Sequence, residues 1–334
     1  MLHALAHAHR KLDLIAAHVD HGLRPDSADA ARRVASLAAE VGVANCQVVR
    51  VEVGRYRNRL PGWSVQQAAR AARYQALASV VEQQAAAALL VAHTADDQAE
   101  TLLLHLLRGS GLQGLLGMRL EDVLDPRRLG PPAPGIPAAG LALRVVRPLL
   151  RIDRATTLAY CSLAGMCVVE DPSNLGRAFT RNRVRLDLVP LLEQFNPAVR
   201  SVLARTADLV ADDLAVLDAL AEQLLNQLEG DAGYDLRLWR SQPRALQRRV
   251  LRLSLESRVG SLVDVSAACI EDALDLLQTG QPNQTYDLPN GVELGLGSER
   301  FVLRSYGRTG PYTPVGALRA GEFDKSWDGE GARV

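Results

Sequence analysis

The first third of the chain alternates short apolar runs with longer segments of helical periodicity. In chain order, the expected strands and helices cover residues 12–19, 26–41, 45–53, 64–84, 86–92 and 96–108. Helices of this length between strands are typical of βαβ units, in which a parallel sheet is covered on both faces. The sequence therefore predicts an α/β fold with a doubly wound, mostly parallel sheet.

Composition narrows the class of protein. A chain of 334 residues with 48% hydrophobic residues can form about two domains with real cores. No apolar run approaches the roughly 20 residues that a membrane helix requires. The four cysteines include no CxxC pair, and the N-terminus has no signal-peptide pattern, so we expect a cytoplasmic protein without a membrane. Basic and acidic residues balance at 38 each, so any nucleic acid must be bound by local patches.

Periodicity and composition divide the rest of the chain. We expect an α/β domain at 1–195, a helical linker at 196–232, a small α+β domain at 233–306 and a loose tail at 307–334. The linker is built on a long amphipathic helix at 199–228. Residues 121–142 interrupt the α/β pattern, and their PPAPGIP stretch cannot form a helix or a ladder. We expect a flexible loop there, either a lid or an insertion without a role.

The densest group of titratable residues follows the third predicted strand. Residue His93 leaves its carboxyl end, where ligands of open α/β sheets bind, and Asp96, Asp97 and Glu100 follow in the next helix. Because Asp97 and Glu100 are three apart, they share one helical face. Acids in a first turn also suit the helix dipole. No Lys or Arg precedes Arg108 in this helix, so the group predicts a bound cation, which is a metal ion, an ammonium group or both.

A second group ends the first predicted strand, on the same rim of the sheet. It contains His18, Val19, Asp20 and His21. These side chains suit contact with a nucleotide, a metal site or an ordinary satisfied core. Neighbouring residues on a strand point to opposite faces, which disfavours a metal site.

Two further motifs have a functional and a purely structural interpretation. Arg70 and Arg73 lie three apart on a helix, a spacing that can hold a phosphate chain or form a solvated face. The glycines Gly109, Gly111 and Gly114 match GxGxxG but follow a helix, which excludes a dinucleotide fingerprint. They can form an anion-binding nest, or a helix cap followed by a turn.

Basic residues concentrate in two later stretches. Residues 177–185, RAFTRNRVR, place four arginines around an aromatic ring, which suits an RNA backbone with an unstacked base. The second stretch contains Arg237, Arg240, Arg244, Arg248 and Arg249. A solvated face is the alternative interpretation of both stretches.

Taken together, six blocks resemble the tRNA(Ile)-lysidine synthetase family. They are AHVDHGLR (17–24), AARAARY (68–74), AHTADDQAETLLLHLLRGSGLQGLLGM (92–118), RPLL (147–150), DPSN (171–174) and RNRVR (181–185). Their order matches the family over about residues 1–200, and the DDQAET block is highly specific in that context. The weaker match at about 212–304 is similar to the family's helical linker and first tRNA-binding domain.

The resemblance implies an N-type ATP pyrophosphatase with an adenine nucleotide alpha hydrolase-like fold. Such a ligase uses ATP and Mg²⁺ to adenylate C2 of the wobble cytidine in tRNA(Ile) with a CAU anticodon. The ε-amine of L-lysine then displaces AMP and forms lysidine. A homodimer is a further expectation.

The resemblance also implies roles for single residues. Asp97 and Glu100 would bind the lysine ammonium groups, with His93 as a further catalytic residue beside the nucleotide and Asp97 as the metal ligand. ATP would contact His18, Val19, Asp20, His21, Arg73 and His93. The RN-containing motif, through Arg181, Asn182 and Arg185, would position the cytidine or AMP.

One part of the family pattern, the pyrophosphate loop SGGxDS, has no counterpart, since the sequence contains no Gly-Gly pair. The chain looks as if it begins inside the first helix, so we expect the sequence as written to be inactive and poorly stable. A 2-thiolation enzyme is the nearest alternative, although such enzymes carry paired cysteines. A glutamine-dependent synthetase would require a glutaminase domain. A non-catalytic RNA-binding remnant is the alternative from another class.

Overall fold

The computed structural model describes residues 1–8, 12–22, 27–60, 62–166, 168, 176–177, 179–259, 262, 265–305 and 319–320. They form two compact units, residues 1–109 with 114–207 and residues 110–113 with 208–334. The expected DPSN turn at 171–174 lies outside the described residues. Within the described part of the chain, no helix is long and apolar enough to cross a membrane.

The first unit combines short strands with helices that belong to the α/β pattern. Its strands are β1 (Ala16–Asp20), β2 (Cys46–Arg50), β3 (Leu89–Leu90), β4 (Glu121–Leu124) and β5 (Leu143–Val146). Its helices are α1 (Leu2–Ala8), α2 (Ser27–Glu40), α3 (Val53–Asn58), α4 (Val65–Gln83), α5 (Ala95–Arg108), α7 (Arg154–Leu163), α8 (Thr180–Arg183), a π-helix (Val184–Leu188) and α9 (Val189–Phe195). Helix α6 (Gly111–Leu115) is divided between the two units, since residues 110–113 belong to the second. Helix α10 (Val199–Leu228) begins in the first unit and continues into the second.

The strand pairs give the expected parallel sheet in two pieces. Strands β1 and β2 are parallel, with Ala16 opposite Cys46, and β3 and β5 are parallel, with Leu89 opposite Val145. Ala16 packs in a core cluster with residues of α1 and α2, whereas Val19 packs with residues of α3 and α4. Since the two residues are an odd number apart on one strand, they point to opposite faces. The sheet is therefore doubly wound, as the sequence predicts.

Residues 121–142 are not the flexible loop that the sequence predicts. Strand β4 pairs antiparallel with β5, and the 3₁₀-helix Pro126–Leu129 follows it. Leu129 and Ala133 are buried, and the Tyr56 hydroxyl donates to the Pro131 carbonyl. The proline-rich stretch itself contains neither helix nor strand, as expected. Its apolar side chains pack on the core, and this burial offsets the entropy cost of ordering the segment.

Helix α5 buries a different set of leucines from the one that periodicity predicts. The helical spacing of the leucines predicts that Leu102, Leu103, Leu106 and Leu107 face inward. Leu102, Leu103 and Leu104 are buried, and Leu106 and Leu107 are exposed. Leu103 and Leu104 form a core cluster with residues of the π-helix and α9, so a second side of the helix is covered.

Within the described residues, the second unit contains a six-stranded antiparallel sheet and three helices besides the end of α10. Its strands are β6 (Glu229–Gly230), β7 (Gly233–Asp235), β8 (Gln284–Leu288), β9 (Val292–Leu296), β10 (Arg300–Ser305) and β11 (Arg319–Ala320). The sheet order is β11-β8-β9-β10-β7-β6. Its helices are α11 (Leu236–Arg240), α12 (Arg244–Val259) and α13 (Ala267–Thr279), with a 3₁₀ turn (Pro289–Gly291) between β8 and β9. The buried aromatic residues Trp239 and Phe301 meet edge to face in its core.

Candidate functional site

The acidic group lies at the start of α5, and its first member, Asp96, is the sixth residue after the end of β3. Thr94 precedes the helix, and both its backbone N–H and its hydroxyl donate to Asp97 Oδ2, at 2.9 and 3.1 Å. The Asp97 side chain thus reaches back to the backbone N–H of the residue before the helix, as the third residue of a capping box does, and this fixes the first turn. At the other end, Gly109 ends the helix with φ 72°, a conformation that favours glycine. Local sequence therefore determines where the helix begins and ends.

Two arginines from a distant segment lie on the acidic face of α5. Arg181 donates from Nη2 to Asp97 at 3.0 Å and from Nε to Glu100 at 2.9 Å. Arg185 donates from Nε and Nη2 to Glu100 at 2.5 and 3.1 Å, and from Nη2 to Asp97 at 3.4 Å. The Glu100 side chain is only 1% exposed. We call these four residues the acid–arginine cluster, and it brings together four residues that the sequence analysis singled out separately.

The third acid of the motif is used elsewhere. Asp96 accepts a hydrogen bond from the Arg154 backbone N–H at 2.7 Å and one from the Arg200 guanidinium. Arg200 also donates to Glu193 at 2.7 Å. Asp96 therefore ties the start of α5 to the starts of α7 and α10. Arg200 is absent from the predicted site residues, and no local signal indicates it, since 104 positions separate it from Asp96.

The acidic group is predicted to bind a metal ion, an ammonium group or both, whereas these contacts supply arginine side chains. Its counterions are guanidinium groups of the same chain, 81 to 104 positions away. Burial alone would raise the pKa of Asp97, but the Thr94 N–H and the charge of Arg181 outweigh it and lower that pKa. The carboxylate of Asp97 is therefore charged at neutral pH.

Asp97 does not fit the metal role. Its Oδ2 accepts two hydrogen bonds from Thr94, and its Oδ1 lies against Arg181 and Arg185. Among the described residues, no three His, Cys, Asp or Glu side chains gather where they could hold a metal ion.

Residue His93 is half-buried between the end of β3 and the start of α5. Burial lowers the pKa of His93 to about 4. The charge of Asp97 raises this pKa, and the charges of Arg147, Arg181 and Arg70 lower it further. The imidazole is therefore neutral at pH 7. Its buried Nδ1 has no hydrogen-bond partner among the described residues. A ligand that reached this atom would gain a hydrogen bond.

The group at the end of β1 joins a residue of α4. Arg73 donates to His21 Nε2 from Nε at 3.3 Å, and Nη2 lies 3.2 Å from the same atom. Burial lowers the pKa of His21 to about 4, with further lowering by Arg73 and His18, and burial also lowers the pKa of His18. The buried His21 Nδ1 has no partner among the described residues. This arrangement leaves neutral imidazoles beside a fixed positive charge.

The contacts of Asp20 and Val19, the other two members of that group, are explained by the fold itself. Asp20 is buried and accepts from the Gly22 N–H at 2.9 Å. Burial alone would raise the pKa of Asp20, but hydrogen bonds from Gly22 and Ser27 lower it. Val19 belongs to the core. For these two residues the ordinary core interpretation accounts for the contacts.

The other predicted residues, in the arginine pair, the GxGxxG match and the RN-containing motif, make structural contacts within the chain. Arg70 does not pair with Arg73 but stacks on the Tyr74 ring at 4.9 Å. The GxGxxG match is a helix cap at Gly109 followed by α6, as the structural interpretation predicts. Asn182 donates from Nδ2 to the Gly176 carbonyl at 2.7 Å, which braces the segment that carries the two arginines.

The basic stretch of the second unit is not an open basic patch. Arg244 contacts Glu271 and Asp275 at 2.8 and 2.7 Å. Arg248 contacts Glu271 at 2.5 Å, Arg249 pairs with Asp218, and Arg240 donates to the Leu277 carbonyl at 2.8 Å. Most of these charges are compensated by acids that periodicity cannot place beside them, so the RNA interpretation of this stretch loses its main support.

Comparisons with known proteins match most of the chain. The family model described as a PP-loop domain matches residues 1–192. A tRNA(Ile)-lysidine synthase of Dehalococcoides mccartyi is 36% identical over 294 residues, 86% of this chain and 59% of that protein. One of Thermosynechococcus vestitus is 36% identical over 289 residues, 86% of this chain and 76% of that protein. One of Salinispora tropica is 39% identical over 294 residues, 87% of this chain and 79% of that protein. The chain thus spans between three fifths and four fifths of these relatives.

Proposed function

The chain belongs to the PP-loop family and, within it, to the tRNA(Ile)-lysidine synthase family, and we propose on that premise that its function is the ligation of lysine to tRNA. The expected inactivity concerns only the sequence as written, which contains no SGGxDS loop. The reaction joins L-lysine to C2 of the wobble cytidine in tRNA(Ile) with a CAU anticodon, with ATP as the source of energy. The observation that carries the proposal is the acid–arginine cluster at the mouth of the parallel sheet. It combines a pair of carboxylates for a cationic amine with arginines for an anion.

The chemistry has two steps. In the first, the C2 oxygen of cytidine attacks the α-phosphorus of ATP, pyrophosphate leaves, and C2 carries an adenylate. In the second, the ε-ammonium group of lysine gives a proton to solvent, the neutral amine attacks C2, AMP leaves with the oxygen, and the nitrogen of the new C–N bond releases a second proton to solvent. Positioning of the amine against C2 is the main contribution that the protein can make to the second step.

Asp97 and Glu100 are the residues that we assign to lysine. They are two carboxylates on one helical face, and the lowered pKa of Asp97 keeps it charged. Carboxylates in a half-buried site bind an ammonium group more strongly than they would in open water. Glu100 is buried and paired with both Arg181 and Arg185, so a ligand would have to displace at least one of these guanidiniums to reach it.

We assign the nucleotide to the carboxyl ends of β1 and β3. The supporting observations are the neutral imidazoles of His21 and His93, each with a buried Nδ1 that has no partner among the described residues, and the guanidinium of Arg73. Neutral imidazoles can donate or accept a hydrogen bond without repelling a cation. His18 lies in the same group, and Val19 and Asp20 would shape its wall.

His93 is an unsuitable general base for the amine. A pKa of about 4 leaves it a weak proton acceptor at neutral pH. We therefore propose that His93 acts by hydrogen bonding to the nucleotide. Arg181, Asn182 and Arg185 are assigned to the phosphate of AMP or the cytidine nucleotide, since guanidinium forks match phosphate oxygens.

The family resemblance implies Mg²⁺, which would screen the charge of the departing pyrophosphate. The described residues do not themselves fit such an ion, because the oxygens of Asp97 are already engaged. We therefore assign no protein ligand to it. A cytoplasmic location and a homodimer belong to the same proposal, and fractionation and light scattering test them.

The alternative functions are not favoured. The relatives that match most of this chain are lysidine synthases, not thiolation enzymes. Among the described residues, Cys46, Cys161 and Cys269 are free cysteines that belong to separate elements. A non-catalytic remnant has no need for the paired geometry of the acid–arginine cluster.

Depletion of the protein in the organism that encodes it tests the proposal. Lysidine in tRNA(Ile) is measured by mass spectrometry, and we expect it to fall in proportion to the protein. Re-expression of the native gene should restore lysidine, whereas Asp97→Asn should not. Asp29→Asn, on an exposed helix surface, is the matched control and should restore it. Unchanged lysidine after full depletion would contradict the proposed function.

A further inference from the structure

The acid–arginine cluster has an asymmetry between its two arginines. Arg185 makes three hydrogen bonds to the acids and its side chain is 22% exposed. Arg181 makes two, one to each acid, and its side chain is 37% exposed. Arg181 is thus the outer and less firmly held of the two cations, and it covers both acids from the solvent side.

We infer that Arg181 is a displaceable occupant of the amine site, and that L-lysine binds Asp97 and Glu100 by exchange with its guanidinium while Arg185 stays in place. The inference rests on the proposed function, because it concerns how that site takes its amine. It assigns Arg181 a second role besides phosphate contact, as an internal competitor of the substrate.

Charge counting supports exchange over simple addition. Asp97 and Glu100 carry two negative charges, and Arg181 and Arg185 carry two positive charges. Asp96 is separately paired with Arg200. An ammonium group added to this neutral cluster would bring an uncompensated positive charge into a half-buried site. Departure of Arg181 restores the balance at the acids.

Exchange of Arg181 for lysine would couple the amine site to a neighbouring phosphate position. The displaced guanidinium carries its charge to the solvent side of the cluster, next to the amine that displaced it. An anion there, such as the phosphate of an adenylate, would stabilise the displaced position. Occupation of the amine site and occupation of the phosphate position would then favour each other, as linkage requires.

Isothermal titration calorimetry measures the binding of L-lysine alone to the 334-residue chain and tests the exchange. Arg181→Gln removes the competitor and leaves both acids and Arg185, so we expect lysine to bind about fivefold more tightly. Arg181→Lys keeps the charge but loses the fork that reaches both acids, so its affinity should lie between those of the parent chain and Arg181→Gln. Arg183→Gln is the matched control, since Arg183 is exposed and lies outside the cluster, and its affinity should not change.

Circular dichroism establishes that each variant is folded. If Arg181→Gln fails to fold, Arg181→Lys, which preserves the charge, decides the question. Equal or weaker lysine binding by a folded Arg181 variant, with measurable binding by the parent chain, overturns the exchange and leaves the proposed function intact. If neither the parent chain nor any variant binds lysine, the amine site itself is wrong, and the proposed function loses its support as well.

Discussion

Two charged regions of this protein, the acid–arginine cluster and the ion pairs of α12 and α13, differ in how far their side chains are exposed to solvent. The acid–arginine cluster places Glu100 almost completely out of solvent, whereas the ion pairs of α12 and α13 are open, with Arg244 43% and Glu271 36% exposed. Each region looks one-signed in its own segment, and each is neutralised by residues from another segment. The difference teaches that burial, more than the number of charges, determines how much each pairing contributes to stability.

The largest expected effect is at the buried end of the comparison. Glu100→Ala leaves the guanidiniums of Arg181 and Arg185 with Asp97 as their one carboxylate partner among the described residues, in a half-buried site. We expect the free energy of unfolding to fall by about 3 kcal/mol. Urea denaturation followed by circular dichroism measures it, and a loss below about 1 kcal/mol would remove the distinction between the two regions.

The pairing of Asp96 sharpens the comparison within the first unit. Asp96→Asn weakens its bond to Arg200, and we expect a loss of about 2 kcal/mol because the bond is charge-assisted and shielded from solvent. Arg200→Met should cost a similar amount. A double-mutant cycle tests whether the losses belong to one interaction, and strictly additive losses would show that they do not.

Acid should weaken the first unit before the second. All seven histidines lie at or before residue 105, and burial lowers the pKa of His21 and His93 to about 4. In the unfolded chain these groups take up protons near pH 6.5, so the folded state loses stability as pH falls from 6.5 towards 4. The full shift would give about 2 kcal/mol from each histidine by pH 5, and solvent screening of these half-buried groups reduces it to on the order of 1 kcal/mol.

Thermal unfolding at pH 7 and pH 5 measures this loss. In the variant that combines His21→Gln and His93→Gln, the difference between the two pH values should shrink. His7→Gln, at an exposed position, is the control and should leave it unchanged. An undiminished difference in the double variant would show that other groups cause the acid sensitivity.

The smallest effect is expected at the open end of the comparison. Glu271→Gln breaks the contacts with Arg244 and Arg248, which both remain hydrated. The loss should be about 0.5 kcal/mol and should fall further at high salt. Urea denaturation at two salt concentrations measures it. A loss as large as that of Glu100→Ala would contradict the role that we give to burial.

Much of the fold could be predicted because its signals are local. The helix at 199–228 has the expected bounds, and the cap of α5 at Gly109 follows from glycine's tolerance of positive φ. Strands β2 and β3 lie within the expected runs, and β1 overlaps the run 12–19 but extends to Asp20. The strands are shorter than the apolar runs, since partners decide where a ladder ends. The short helices α3 and α11 escaped prediction for the same reason that short helices are marginal alone.

The candidate site was predicted only by halves. Sequence spacing put Asp97 and Glu100 on one face, and composition marked Arg181 and Arg185 as basic residues near an aromatic ring. Neither signal indicates that the two pairs meet, because 81 to 88 positions separate them. The family resemblance joined them in one function, but not in one set of hydrogen bonds.

The sequence by itself determined the alternation of strands and helices, the start of α5 at the mouth of a strand and the family to which the chain belongs. These follow from periodicity, capping and motif order, which act over a few residues. Only the tertiary structure decided that β4 adds to the sheet, that Asp96 meets Arg200 and that guanidiniums occupy the acidic face. Such contacts depend on how distant segments pack, and burial then fixes the pKa values of His21 and His93 that no local pattern reveals.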